Sequence, residues 1–249
     1  AGSAGMAMGP VAGSILKVEF GFEYMFIGST ILGLASLWLT LLLKETLPNP
    51  RKIVLSDLNP FKGQVLDFSS WPSSLYLLPV AFSFGVFLTV SPDYVASLGF
   101  VYKGSFNALI VVSSIGVRLF AGKASDKYGR IPLLIIGGFF LMVGMAVIAM
   151  AQDAFTVSLG GVLYGISVGF NMPTIFAWTA DLSKPGKVGL ALATMLMSLE
   201  IGIGLGAVVS GHLYNGNVNL IPFDYWLCVV GGGLGVLFLL FYRLRFEKA

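Results

Sequence analysis

Long, nearly unbroken apolar runs alternate with short polar breaks along the chain. A helix crossing the hydrocarbon core of a bilayer needs roughly 20 apolar residues at 1.5 Å rise each. On that measure residues 1–16 read as a partial span, and full spans follow at 24–43, 72–97, 104–121, 131–151, 155–180, 188–214 and 224–242. Runs longer than the minimum allow tilt or extension past the lipid. Strands of a membrane barrel would be about 9–11 residues long and would alternate in polarity. These runs are longer and continuously apolar, so the pattern predicts an all-α polytopic membrane helix bundle. One stretch breaks the rhythm. Residues 44–70 hold Lys44, Glu45, Arg51, Lys52, Asp57, Lys62 and Asp67 together with Pro48, Pro50 and Pro60. It reads as a polar linker between a first group of spans (residues 1–43) and a six-span unit (residues 71–249).

Composition agrees. Of 249 residues 56% are hydrophobic and 11% charged, against about 25% charged in soluble domains. A bilayer hides that much apolar surface; a globular core of this size does not. The formal net charge of +3 is too small and too scattered for a nucleic-acid partner. With one cysteine (Cys228) and one histidine (His212), neither an intrachain disulfide nor a Cys- or His-based metal cluster is expected. Cys228 reads as an apolar filler, and His212 as an interfacial or hydrogen-bonded side chain. Residues 1–16 lack the basic start and cleavage site of a signal peptide, so the chain reads as opening inside a helix. No H-E-x-x-H pattern and no phosphate loop occurs, so neither an intramembrane enzyme, nor ATP-driven export, nor a cofactor is expected.

Charge also orients the spans. Twelve of the 15 basic residues fall on one side: Lys44, Arg51, Lys52, Lys62, Lys123, Lys127, Arg130, Lys184, Lys187, Arg243, Arg245 and Lys248. Lys17 and Lys103 fall on the other, and Arg118 lies inside a span. The positive-inside rule places the rich side, and the C-terminus, in the cytoplasm. Small residues four apart let membrane helices approach closely. Three such stripes occur: Gly5, Gly9 and Gly13; Gly161, Gly165 and Gly169; and Gly202, Gly206 and Ser210. Pro10, Pro79, Pro92 and Pro173 fall within spans, where proline breaks a backbone hydrogen bond and bends the helix. Kinked, glycine-striped spans suit a carrier that moves.

Two motifs carry a family resemblance. Residues 122–130 read Gly122-Lys-Ala-Ser-Asp126-Lys-Tyr-Gly129-Arg130. This resembles the G-x-L-a-D-r-x-G-r signature of the major facilitator superfamily, with Ala124 in place of the usual Leu. Residues 5–14, from Gly5 through Gly9, Pro10 and Gly13 to Ser14, resemble the Gly-Pro motif in the fifth helix of that family's drug/proton antiporters, with Ser14 in place of the last Gly. The resemblance implies that residues 1–16 are part of helix 5 and that the seven full spans are helices 6–12. Helices 1–4 of the same protein would then precede this chain. It further implies a secondary transporter of the bacterial inner membrane, exporting small amphipathic molecules by alternating access with protons as coupling ion. An uptake carrier for a sugar, organic acid or other metabolite is the alternative. The chain alone is not expected to transport.

The resemblance implies a cytoplasmic gate formed by Gly122, Asp126, Gly129 and Arg130. The carboxylate of Asp126 would pair with Arg118 or Arg130, or cap a helix N-terminus. Glu200 lies well inside a span, where a charge costs roughly 2.5–3.5 kcal/mol. It either lines a central cavity and takes part in proton coupling or cation binding, or is a protonated packing residue. Asn107, Asn171 and Trp178 are candidates for a substrate path, and helix-to-helix hydrogen bonding explains Asn171 equally well. Asp93, after Pro92 near the outer end of its span, is a further candidate for the proton or substrate site, although its position reads as interfacial rather than central.

Overall fold

A computed structural model describes residues 2–43 and 66–246, apart from the side chains of residues 2–4, 6 and 7. Among the described residues there are eight α-helices: α1 (Gly2–Phe20), α2 (Phe22–Leu41), α3 (Trp71–Ser97), α4 (Lys103–Tyr128), α5 (Arg130–Ala149), α6 (Ala154–Leu182), α7 (Val188–Tyr214) and α8 (Ile221–Phe246). All but α1 are long and apolar enough to cross a membrane. Residues 44–65 of the expected linker, with Lys44, Arg51, Lys52 and Lys62, lie outside the described residues, as does Lys248.

Helix limits follow the apolar runs closely where polar residues end both the run and the helix. They depart where a polar sequence is itself helical. The stretch 122–130, which the apolar runs leave as a polar break outside the spans 104–121 and 131–151, is a correction to a loop reading: α4 continues through Lys123, Ser125, Asp126 and Lys127 to Tyr128. Only Gly129, with φ +91°, separates it from α5. An apolar run measures how far a helix is immersed, not how long it is. Glycine suits this join because a side chain there is strained at positive φ. Gly21, at φ +93°, joins α1 to α2 in the same way, so Lys17 and Glu19 are helical too.

The helices pack in an arc. α7 lies on α3, α3 on α8, α8 on α5, α5 on α6, α6 on α4 and α4 on α1, with α2 against α1. Two of the small-residue stripes form seams. Gly161, Gly165 and Gly169 face Phe106, Ile110, Ser113 and Val117 of α4, and Gly202 and Gly206 face α3. At Gly206 an added Cβ would run into the carbonyl oxygen of Phe82, and at Gly85 into that of Ile203, so α3 and α7 touch backbone to backbone. Gly5, Gly9 and Gly13 meet nothing within 4 Å, and α2 buries no side chain.

One end of the bundle gathers residues 66–70, Gly129, residues 183–187 and the end of α8. There the Asp67 N–H donates to Thr194 Oγ1 (2.9 Å), tying the start of α3 to α7. The other end gathers residues 98–102, 150–153 and 215–220, and brings Lys17 and Lys103 to one hollow. Two helix starts are capped by carboxylates. The Ser69 N–H donates to Asp67 Oδ1 (3.0 Å) and the Thr156 N–H to Asp153 Oδ1 (2.7 Å). These bonds favour the charged form and hold both carboxyls below their ordinary value of 3.8. A lowered folded-state pKa contributes stability that is full above the unfolded value and is lost as pH falls through the folded one. Thermal unfolding in detergent across about pH 5 to pH 3 therefore shows falling stability. Asp153→Asn, which keeps a capping oxygen and removes the titration, makes that fall shallower.

Candidate functional site

α3, α4, α6 and α7 line a partly open cavity of about 320 Å³ on the side away from α5 and α8. It is walled mainly by apolar and aromatic groups, among them Phe84, Tyr164, Met172, Phe176 and Ile203, with Arg118 as its charged residue. Phe84, Val168, Leu199 and Ile203 lie near the midpoints of their helices. The cavity therefore sits near mid-membrane depth. It runs from Tyr164 to Phe176 along α6, roughly 18 Å at helical rise. A smaller hollow of about 60 Å³ adjoins it, sharing Phe84, Arg118, Tyr164 and Val168 and adding Ser114.

Polar ties stand at the two ends. At the Gly129 end, Arg130 pairs with Asp126 one turn earlier and, at 2.8 Å, with Asp181 at the close of α6. Its guanidinium also donates to Ser125 Oγ (2.8 Å). One side chain thus joins the ends of α4, α5 and α6. At the opposite end, Lys103 Nζ donates to Asp93 Oδ1 (3.1 Å) and the Tyr214 hydroxyl to Asp93 Oδ2 (3.1 Å), joining α3, α4 and α7. The Tyr102 hydroxyl donates to Glu19 Oε1 (2.7 Å), bringing in α1. That hydrogen bond to Glu19 holds the Tyr102 hydroxyl above its ordinary pKa, and the repulsion between two negative charges on ionisation adds to it.

The sequence-predicted residues are thus distributed over several places. Arg118 is on the cavity wall. Asp126, Gly129 and Arg130 meet at one end, and Gly122 lies on the same stretch of α4. Asp93 is in the opposite tie. Asn107 is half-buried and faces the hollows between α1 and α4, beside Pro10. Glu200 is exposed on α7, between the wall residues Leu199 and Ile203 in sequence. Asn171 is fully buried, with Oδ1 2.9 Å from the Tyr76 hydroxyl and Nδ2 donating to Ser167 Oγ (3.0 Å). Its side chain faces Gly137 of α5. Trp178 packs edge-on against Tyr242 at 5.5 Å. His212 is exposed, and Cys228 is buried with Sγ 3.3 Å from the Asp224 carbonyl oxygen.

Several residues escaped the sequence reading. Asp181 had a usable signal: an acid at the end of a span on the same side as Arg130. Ser114 lies one helical turn before Arg118 and so on the same face. Asp224 is fully buried near the start of α8, with both carboxylate oxygens unpartnered among the described residues. Nothing in its apolar surroundings in sequence marks it.

The sequence matches the Major Facilitator Superfamily over residues 1–154 and again over residues 111–249. It is 31% identical over 153 residues to an uncharacterised transporter of that type, YwfA of Bacillus subtilis, covering 55% of this chain and 37% of the relative. It is 26% identical over 170 residues to the multidrug resistance protein MdtH of Photorhabdus laumondii, covering 65% and 39%. The chain thus spans well under half the length of the curated relatives it matches. Among solved structures, a mutant of the peptide transporter POT in complex with sulfate superposes with a TM-score of 0.57 at 16% identity, covering 78% of this chain and 42% of that one. These relatives are transporters, not enzymes. The fold likeness, the seven membrane-length helices and the match along the whole chain agree: this protein is an integral membrane member of the Major Facilitator Superfamily.

Proposed function

We propose that this chain supplies the C-terminal six-helix bundle (residues 71–249), a linker (44–70) and the last helices of the N-terminal bundle (1–43) of a secondary transporter. It exports small amphipathic molecules in exchange for protons, by alternating access, across a bacterial inner membrane with its C-terminus in the cytoplasm. The observation that carries this reading is the mid-membrane cavity between α3, α4, α6 and α7, flanked by a polar tie at each end of the bundle. Alternating access needs such a site and two gates that open in turn. Orientation is supported by the basic ends of the helices, and the efflux direction by the likeness to MdtH. The exposed faces of α2 and the open Gly5–Gly9–Gly13 edge support four further helices packed against them.

Glu200 is the proposed proton-coupling group, exposed beside the cavity wall and so able to exchange protons when that face opens to water. The test uses the protein with its upstream helices in liposomes holding a pH-reporting dye, with labelled naphthalenesulfonate as the transported probe. An imposed proton gradient drives the probe against the proton flow. Glu200→Gln cuts gradient-driven flux at least about tenfold, a barrier change of about 1.4 kcal/mol, while exchange of labelled for unlabelled probe continues. Full gradient-driven flux in Glu200→Gln would remove Glu200 from the coupling. Probe and protons moving the same way would establish the uptake carrier instead.

A further inference from the structure

We infer that the cavity recognises the anionic head of an amphipathic molecule, held by Arg118 and Ser114 on one face of α4 while its apolar body lies against Phe84, Tyr164, Met172 and Phe176. The inference rests on the transporter reading of the same cavity and goes further by assigning the charge of what it binds.

Three observations carry it. First, Arg118 lines both the main cavity and the smaller hollow beside it, at a depth set by neighbours near the midpoints of α3, α6 and α7. Arginine stays protonated in proteins, so a positive charge at this depth persists whatever the pH. The long stem of an arginine near a helix end would carry the charge out to the interface. Arg118 is about three turns from the Gly129 end of α4 and faces the cavity instead. An ionisable side chain held inside the membrane on a cavity wall marks a functional site by default.

Second, Ser114, one turn earlier on α4, is 2% exposed. Its hydroxyl has no hydrogen-bond partner among the described residues, and it lines the same hollow as Arg118. Serine hydroxyls inside membrane helices ordinarily bond back to a carbonyl one turn earlier, as Ser113 does to Leu109 at 2.8 Å. A buried hydroxyl left unpartnered beside a guanidinium gives a second donor directed at the same place. A carboxylate, sulfonate or phosphate oxygen accepts from both. Third, the remaining wall is apolar and aromatic, and among the described residues no Asp or Glu lines either space. A cationic head would meet repulsion from Arg118, and a neutral one would forgo the charge-assisted bond, which is roughly twice as strong as a neutral one.

The test is equilibrium binding to the protein with its upstream helices in phosphatidylcholine nanodiscs, with a shape-matched pair of probes: naphthalenesulfonate, a permanent anion, and naphthalenesulfonamide, its neutral counterpart. The sulfonate binds at least about tenfold more tightly than the sulfonamide. Arg118→Gln removes that preference and leaves sulfonamide affinity within about twofold of the wild type; Arg118→Lys restores part of it. Ser114→Ala weakens the sulfonate by a few fold and leaves the sulfonamide unchanged. Repeating the titration with phosphatidylglycerol in the disc distinguishes the source of the anion: competition there identifies a lipid phosphate as an occupant of the same donors, and its absence leaves a free solute. Equal affinity for the two probes, or a preference that survives Arg118→Gln, would overturn the inference while leaving the transporter reading in place. Failure of both probes to bind would overturn it together with the cavity's role as the binding site. Unchanged circular dichroism in Arg118→Gln ensures that a lost preference is not lost folding.

Discussion

Gly206→Leu destabilises the bundle by at least about 3 kcal/mol, because it falls where α3 and α7 touch backbone to backbone. The position has no room for even a methyl group, because the carbonyl oxygen of Phe82 lies where a Cβ would stand. The obstacle is backbone, not a side chain that can turn aside. Relief requires α3 and α7 to separate along their length, which would also break the reciprocal contact of Gly85 on Ile203. Thermal unfolding in detergent, followed by size-exclusion recovery after heating, measures the loss. Gly204→Leu is the control: it lies on the same helix with nothing within 4 Å, so it shares the propensity change without the collision. Equal behaviour of the two variants would show that the α3–α7 seam is not as tight as described.

Asp224→Leu acts in the opposite direction and raises stability by about 1–3 kcal/mol. Asp224 is fully enclosed, and neither carboxylate oxygen has a partner among the described residues. The hydroxyl of the adjacent Tyr225 is also buried, with no partner among the described residues. A carboxyl in such a site either gives up its charge or keeps it without compensation, and both states cost free energy relative to a well-packed apolar side chain. The first turn of α8 offers a favourable helix dipole, worth typically 0.3–1 kcal/mol, which is too little to offset this. The same detergent melt reads the result. A lower midpoint for Asp224→Leu would mean that a partner satisfies the carboxyl.

These two positions also show what a linear sequence makes legible. The apolar runs found every full span, and the limits of α7 at Val188 and Tyr214 coincide with those read from the run 188–214, because polar residues close both the run and the helix. Immersion depth was legible for Glu200, well inside the run 188–214; Arg118 stands three residues from the end of the run 104–121, and its depth beside the midpoints of α3, α6 and α7 comes from the continuation of α4 to Tyr128. Azimuth was not. All sides of a membrane helix are apolar, since lipid and protein interior are alike in polarity, so no moment distinguishes the face of α4 that carries Ser114 and Arg118 from the face that meets lipid. Asn171 could therefore be placed in a helix but not aimed, and it turns to Tyr76 and α5. The partner of Asp126 was legible to within two choices, because Arg130 and Arg118 are both on the page of the sequence; the continuation of α4 to Tyr128 sets Arg130 one turn away. Asp224 left no mark, because burial at a helix start depends on which neighbours arrive from α3 and α5.

The single-residue join at Gly129 has a mechanical corollary. With no spare chain between α4 and α5, the two helices cannot slide independently, and Arg130 pins the foot of α6 to the same corner. A tilt of α4 is therefore passed to both companions for as long as that tie holds. While the Arg130 tie is closed, the α4 and α6 walls of the cavity are coupled at that corner, and a push at the guanidinium of Arg118 is shared among α4, α5 and α6.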